Sequence, residues 1–363
     1  LDENRPIVKA GIKMRLIPIE KLKPGMKLSR TIFRDQDGKI LLRPNVVLKS
    51  SYIQKIKDLK YQYVYIMEPG DEEQAPANLE PLREETLFQA RRLIKKYFAL
   101  IKQNKTIEIS GIKSVIGEIV DQIIRNPNIV YNMVDIRSHD DYTYAHSVNV
   151  CVISIMIGVV LNLNRKQLET LGMGAILHDI GKILIDHKIL NKPTKLEPLE
   201  SELVRRHAKD GYEMLRKKDD INFLASHIVL QHHEREDGSG YPRGLTGKRI
   251  HIFSKIVAVA DAYDAMTSNR VYQKEITSLQ AIEEIKREAS RKFNAAVVEA
   301  FLQVVTPFPI GSTIVFENGA TGIVKAVSRL ECLVEVIDGP DCGNTFNLYH
   351  TPDFKVEKVY FSY

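Results

Sequence analysis

Tryptophan is missing from the 363-residue chain, and cysteine occurs only as Cys151, Cys332 and Cys342. An odd number of cysteines with no Cys-x-x-Cys pair argues against a disulfide framework and fits a reducing, cytoplasmic setting. Long apolar runs are missing too. The longest, at 148–161, contains Asn149 and Ser154 and falls short of the roughly 20 residues a membrane span needs. It reads as a buried core helix, with no membrane as partner. Asp2, Glu3 and Arg5 have no apolar run behind them, so no signal peptide is visible. Neither sign of charge dominates. The formal net charge of +6 is spread over interspersed Lys and Glu. That is a solvated surface rather than a nucleic-acid-binding stripe, although it suits a phosphate-bearing ligand.

What is present describes an ordinary globular protein. With 44% hydrophobic and 27% charged residues the chain can bury a sizeable core. At roughly 100–200 residues per domain, its length suggests two to four domains. Residues 1–75 read as a small α+β module. Asp37-Gly38 is a hairpin turn between the apolar runs 31–33 and 39–42, followed by a helix at 50–59 and a strand at 63–67. The Pro- and acid-rich stretch 68–81 is a linker, and 76–128 forms a helical connector. Leu87, Ala90, Ile94, Tyr97 and Ile101 repeat at helical spacing. That stripe offers a homodimer seam, with packing onto its own domain preferred. A second helix runs from Ile112 to Ile124. Residues 129–305 are helical nearly throughout, broken by a loop around 234–250. After Pro307 short β-type runs at 313–316 and 333–337 alternate with Asn318-Gly319 and Asp338-Gly339, so 306–363 reads as a small β-rich domain.

The chemistry lies where apolar segments end. His178-Asp-Ile-Gly-Lys182 follows the run 171–177 on a predicted helix. Titratable groups there are costly unless paired or metal-bound. His178 and Lys182, four apart, are expected on one helix face. Asp179 can bridge two cations, and Lys182 is suited to neutralising a phosphate. His146 precedes the 148–161 run, and His207 opens a helix. His232 and His233 end the helix 223–231, and Asp261 follows the run 256–260 with Asp264 three residues on. Five apolar segments each deliver a metal-type ligand. Five His and two Asp suffice for two metal ions, and without Cys they favour hard or borderline ions such as Fe, Mn or Zn. His139, His187, His227, His251 and His350 lack such a place and read as structural or exposed. In the loop after His233, Gly238, Gly240 and Pro242 shape a compact turn. Arg235 and Arg243 are placed to meet phosphate there, and Tyr241 to stack on a base.

Four segments carry a resemblance: Thr143-Tyr-Ala-His146-Ser147, His178-Asp-Ile-Gly-Lys182, His232-His-Glu-Arg-Glu-Asp-Gly-Ser-Gly-Tyr-Pro242, and Asp261-Ala-Tyr-Asp264-Ala-Met-Thr-Ser268-Asn-Arg270. His207, four residues before Gly211, fits a fifth. Together they resemble the HD-GYP branch of the HD phosphohydrolase superfamily over about 129–305. The resemblance implies a mainly α protein, with an all-helical HD-type catalytic domain between the α+β and β-rich parts. It implies hydrolysis of cyclic di-GMP to pGpG or GMP by a metal-activated hydroxide. The alternatives are a cyclic-dinucleotide sensor with an inactive site, and a hydrolase of another nucleotide. The implied cofactors are two divalent metal ions, Fe or Mn. One would be held by His146, His178, Asp179 and Asp261. The other would be held by Asp179, His207, His232 and His233. Substrate would be met by Lys182, Arg235, Tyr241, Asp264, Arg270 and Lys274, with Asp179 and Lys182 as catalytic residues. The name-giving loop would also receive GGDEF-type partners. Two departures stand out. Tyr142, preceded by Asp141, occupies the position of a Glu that holds a third metal in some members, so two metals are expected. Gln273 stands where a basic residue is usual.

Overall fold

The computed structural model describes residues 14–33, 40–59, 61, 63–67, 82–103, 108–126, 142–190, 192, 194–267, 277–308, 310–328, 331–351 and 354–360. These fall into two compact units. One draws on residues within 1–80 and 308–363, the other on residues within 81–131 and 139–307. The 68–81 linker, His139, Asp141, the Asp37-Gly38 turn, Arg270, Gln273 and Lys274 lie outside the described residues, as does the Tyr142 side chain.

In the first unit, β1 (Met14–Pro18), β2 (Lys27–Leu28), β3 (Ile32–Phe33), β4 (Ile40–Leu42), α1 (Ser50–Asp58) and β5 (Tyr63–Met67) follow in order. The antiparallel order is β1-β5-β2, with β3 paired to β4. Alternation along β5 buries Val64 and Ile66 against Ile53 and Ile56 of α1.

The second unit is helical. Its elements are α2 (Glu84–Lys102), α3 (Ser110–Arg125), α4 (Tyr142–Val160), α5 (Arg165–Ile176), α6 (His187–Leu190), α7 (Pro198–Arg205), α8 (His207–Leu215), α9 (Phe223–Gln231), α10 (Ile252–Thr267), α11 (Ser278–Arg287) and α12 (Ala295–Leu302). Helix α4 contains the long apolar run and is buried on every side, from Val148 to Ile157. A helix apolar all round belongs at the centre of a bundle. Accordingly α2, α3, α5, α10 and α12 all pack on it. The stripe at Ala90, Ile94 and Tyr97 is buried within this unit, and α2 packs on α3 and α4. Helix α5 starts at a capping box between Asn164 and Gln167, with bonds of 3.0 and 2.8 Å. Among the described residues no helix is long and apolar enough to cross a membrane.

The C-terminal strands belong to the first unit. They are β6 (Thr313–Phe316), β7 (Thr321–Val327), β8 (Cys332–Asp338), β9 (Thr345–Asn347) and β10 (Val356–Tyr360), in the antiparallel order β10-β6-β7-β8-β9. Alternate residues Cys332, Val334 and Val336 of β8 are buried with Ile314 and Phe316 of β6.

One close approach positions the chemistry. After α5 the chain turns into a 3-10 segment, Ile180–Leu184, that packs on α8. A Cβ at Gly181 would overlap the His207 carbonyl oxygen and lie 2.7 Å from the Gly211 nitrogen. Only glycine lets the two backbones meet there. Gly181→Ala should therefore lower stability by about 2–3 kcal/mol. That is the opposite sign from the gain of roughly 0.4–1 kcal/mol that Gly→Ala gives at an open site. Urea denaturation checks it, and an unchanged midpoint would contradict the contact.

Candidate metal centre

Five helical segments converge on one buried cluster. His146 comes from the first turns of α4, and His178 and Asp179 from the turn that ends α5. His207 opens α8, His232 and His233 follow the last residue of α9, and Asp261 sits in mid-α10. His146, His178, Asp179, His207 and His232 are each no more than 2% exposed, and Asp261 is 7% exposed. Ligand atoms of His146, His178 and Asp179 lie within 4.8 Å of one another. So do those of Asp179, His207, His232 and His233. Asp179 belongs to both groups. Its Oδ2 is 3.4 Å from His178 Nε2, and its Oδ1 is 3.4 Å from His207 Nε2. Asp261 lies between the groups, with Oδ1 3.2 Å from His146 Nε2 and Oδ2 3.8 Å from His233 Nδ1.

The histidine rings are oriented by a shared device. Nδ1 of His178, His207 and His232 each meets the carbonyl three residues earlier, on Ala175, Val204 and Val229, at 2.7, 2.6 and 2.8 Å. A carbonyl only accepts, so Nδ1 carries the proton and the Nε2 lone pair faces the cluster. His146 is oriented by Asp264, whose Oδ2 is 2.6 Å from Nδ1, and Asn149 Nδ2 donates to Asp264 Oδ1 at 2.9 Å. A carboxylate behind a histidine is a common support for a metal ligand.

Charge points the same way. Burial lowers the proton affinity of His207, His232 and His233, which therefore stay neutral as ligation requires. For Asp179 burial alone would favour protonation. The Lys182 ammonium is the largest influence that opposes it, and the carboxyl is held well below its usual range. Burial also lowers His146, but hydrogen bonds to Asp261 and Asp264 outweigh it and push the ring up to about 9. The field between those carboxylates thus favours a positive charge. Asp179 Oδ1 is buried without a hydrogen-bond partner. Such an atom is expensive unless something coordinates it. Neutral imidazoles around buried carboxylates, one with a free oxygen, fit divalent cations.

The expected substrate contacts are placed unevenly. Lys182 does not share a helix face with His178, because α5 ends at Ile176. In the tighter 3-10 turn residues three apart align, and Lys182 Nζ pairs with Asp179 Oδ2 at 2.6 Å. Asp264 differs from the expectation of a substrate contact. It is fully buried behind His146 with both oxygens engaged, so it acts on the ring and not on a ligand. Arg235 Nη1 donates to the His232 and Glu234 carbonyls at 3.1 and 3.0 Å, and its guanidinium lies over Phe293. Tyr241 is half-buried and its ring stacks on His233 at 4.6 Å.

The loop after His233 is a built structure, which the turn residues alone do not reveal. Glu234 is 2% exposed, and its two oxygens accept from the Arg243 and Leu245 backbone nitrogens at 2.9 and 2.8 Å. Tyr241 N donates to the His233 carbonyl at 3.2 Å. A Cβ on Gly240 would overlap that carbonyl and lie 2.5 Å from Arg235 N. Asn149, Glu234 and Gly181 are the functional positions that ligand counting misses. Asn149, three residues after His146 in an otherwise apolar run, is the one that left a readable signal. Asp264→Asn should weaken divalent-metal affinity by roughly 10–100-fold while the fold persists. Chelator competition reads this directly, and unchanged affinity would remove Asp264 from the site.

Residues 128–297 match the HD domain family. The chain is 35% identical over 236 residues to the cyclic di-GMP phosphodiesterase PA4108 of Pseudomonas aeruginosa, covering 65% of this chain and 57% of that protein. It is 34% identical over 235 residues to a cyclic di-GMP phosphodiesterase of Thermotoga maritima, covering 63% of each. It thus spans about three fifths of these relatives' length. In fold it is similar to Bd1817, an HDG"Y"P protein from Bdellovibrio bacteriovorus, with a TM-score of 0.50 at 17% identity over 79% of this chain and 98% of that one. The buried His-Asp cluster and the Gly-Tyr-Pro loop after His233 both lie within residues 128–297, the stretch that matches the HD domain family.

Proposed function

We propose that this protein is a metal-dependent phosphodiesterase that hydrolyses cyclic di-GMP to pGpG or GMP. The observation that carries this is Asp179, a buried carboxylate shared by two histidine groups and retaining an uncommitted oxygen. His146, His178, Asp179 and Asp261 would hold one cation, and Asp179, His207, His232 and His233 the second, as Fe or Mn. Such a pair supplies Lewis-acid chemistry and a nucleophile drawn from water. The chain's own residues do the rest. Asp179 and Asp261 fix negative charge between the imidazoles. Lys182, its side chain 26% exposed, offers an ammonium at the edge of the cluster for a phosphoryl oxygen. The Tyr241 ring gives a flat surface beside His233 for a base.

The finer layout follows the same reading: an α+β module at 1–75, a connector at 76–128, the catalytic domain at 129–305 and a β-rich part at 306–363. The loop around Asp237 and Ser239, both exposed, is the surface for a GGDEF-type partner. Arg270 and Lys274 remain substrate contacts by resemblance alone.

Metal-reconstituted protein should convert cyclic di-GMP to pGpG or GMP with two metals per chain. Asp179→Ala should lose both metals and slow turnover on the order of 1000-fold or more. Chromatography of the products with elemental analysis checks both. Intact cyclic di-GMP after hours would contradict the activity, and a ratio near three would contradict the two-metal site.

A further inference from the structure

Arg205 is the last residue of α7 and stands two residues before His207. The carbonyl of its neighbour Val204 receives the His207 Nδ1 proton at 2.6 Å, so the backbone bearing Arg205 is tied to the ligand cluster. Helix α7 has no buried side chain. It is fixed instead by its Glu197/Glu200 capping box and by Lys192, whose Nζ lies 2.6 Å from Glu200 Oε2. The Arg205 guanidinium sits over the Tyr241 ring, 5.3 Å from its centroid. The same ring stacks on His233 and meets His207 edge-on at 6.3 Å.

Among the described residues, three nearby cations already have partners. Lys182 pairs with Asp179, Arg235 donates to loop carbonyls, and Arg206 faces Asp210 at 3.9 Å. Arg205 is exposed and, among the described residues, makes no hydrogen bond or ion pair; its one specific contact is the Tyr241 ring. Cation–π contact orients the guanidinium plane without using its donors. A pre-oriented fork of five N–H groups, bordering an anion-processing site, suits a phosphate.

A cyclic dinucleotide carries two phosphodiesters. On the reading above the cluster and Lys182 serve the one that is cleaved, and the other keeps its charge and needs a partner of its own. We propose that Arg205 binds this second phosphate. The proposal rests on the phosphodiesterase reading above and deepens it: it assigns a residue that selects cyclic dinucleotides over substrates with a single phosphodiester.

The test compares Arg205→Gln, Arg205→Lys and Arg206→Gln in the full chain. KM and kcat are measured with cyclic di-GMP, Kd with its phosphorothioate analogue, and metal content by elemental analysis. Arg205→Gln should raise KM and Kd about tenfold or more, the loss expected for a charge-assisted hydrogen bond. Metal content should stay at the wild-type value and kcat should change far less than KM. Arg205→Lys should recover part of the loss, and Arg206→Gln should match wild type. KM and Kd within twofold of wild type in Arg205→Gln would overturn the proposal. So would a fall in kcat that tracks lost metal, which would make Arg205 a support for His207. Wild-type protein that binds the analogue without turnover would sink only the hydrolase reading, since Kd still decides Arg205. Wild-type protein that neither binds nor cleaves would sink both.

Discussion

Asp179 is 1% exposed, ionised, and has one oxygen with no hydrogen-bond partner. A buried carboxylate in that state costs several kcal/mol unless cations surround it. Much of the second unit is arranged to meet this constraint. Lys182 folds back on one oxygen, and the imidazoles of His178 and His207 approach from either side. Replacing Asp179 would strip the reason for five histidines to face one another.

The rigidity of the cluster comes from backbone and not from loops. His178, His207 and His232 sit at helix ends, where carbonyls three residues back are available to fix their rings. Gly181 allows the segment carrying His178 and Asp179 to press on the start of α8. Asp264 and Asn149 extend the same support into the core beneath His146. Lys182, Tyr241 and Arg205 are the more exposed side chains beside the cluster.

Sequence periodicity showed where apolar segments end, and those ends are where the ligands lie. The helix at 223–231 forms over the expected span, and the apolar run at 148–161 becomes the buried centre of the bundle. Spacing was less informative wherever the helix stopped. A four-residue interval placed Lys182 beside His178 only as long as α5 continued, and the 3-10 turn sent it to Asp179 instead. Asp264, one helical turn beyond Asp261, looked equally available to a ligand. The burial of its side chain depends on how α10 meets α4, which no local pattern encodes. Glu234 was illegible for the same reason, since its role as a latch needs the backbone of residues about ten positions away.

The central claim is that one carboxylate is shared by two metal ions. Electron paramagnetic resonance of the Mn(II)-loaded protein tests it directly. Two ions bridged by Asp179 should be exchange-coupled, with the six-line signal of isolated Mn(II) suppressed at full loading. A six-line signal that grows in proportion to bound manganese up to saturation would mean separate ions and would contradict the account.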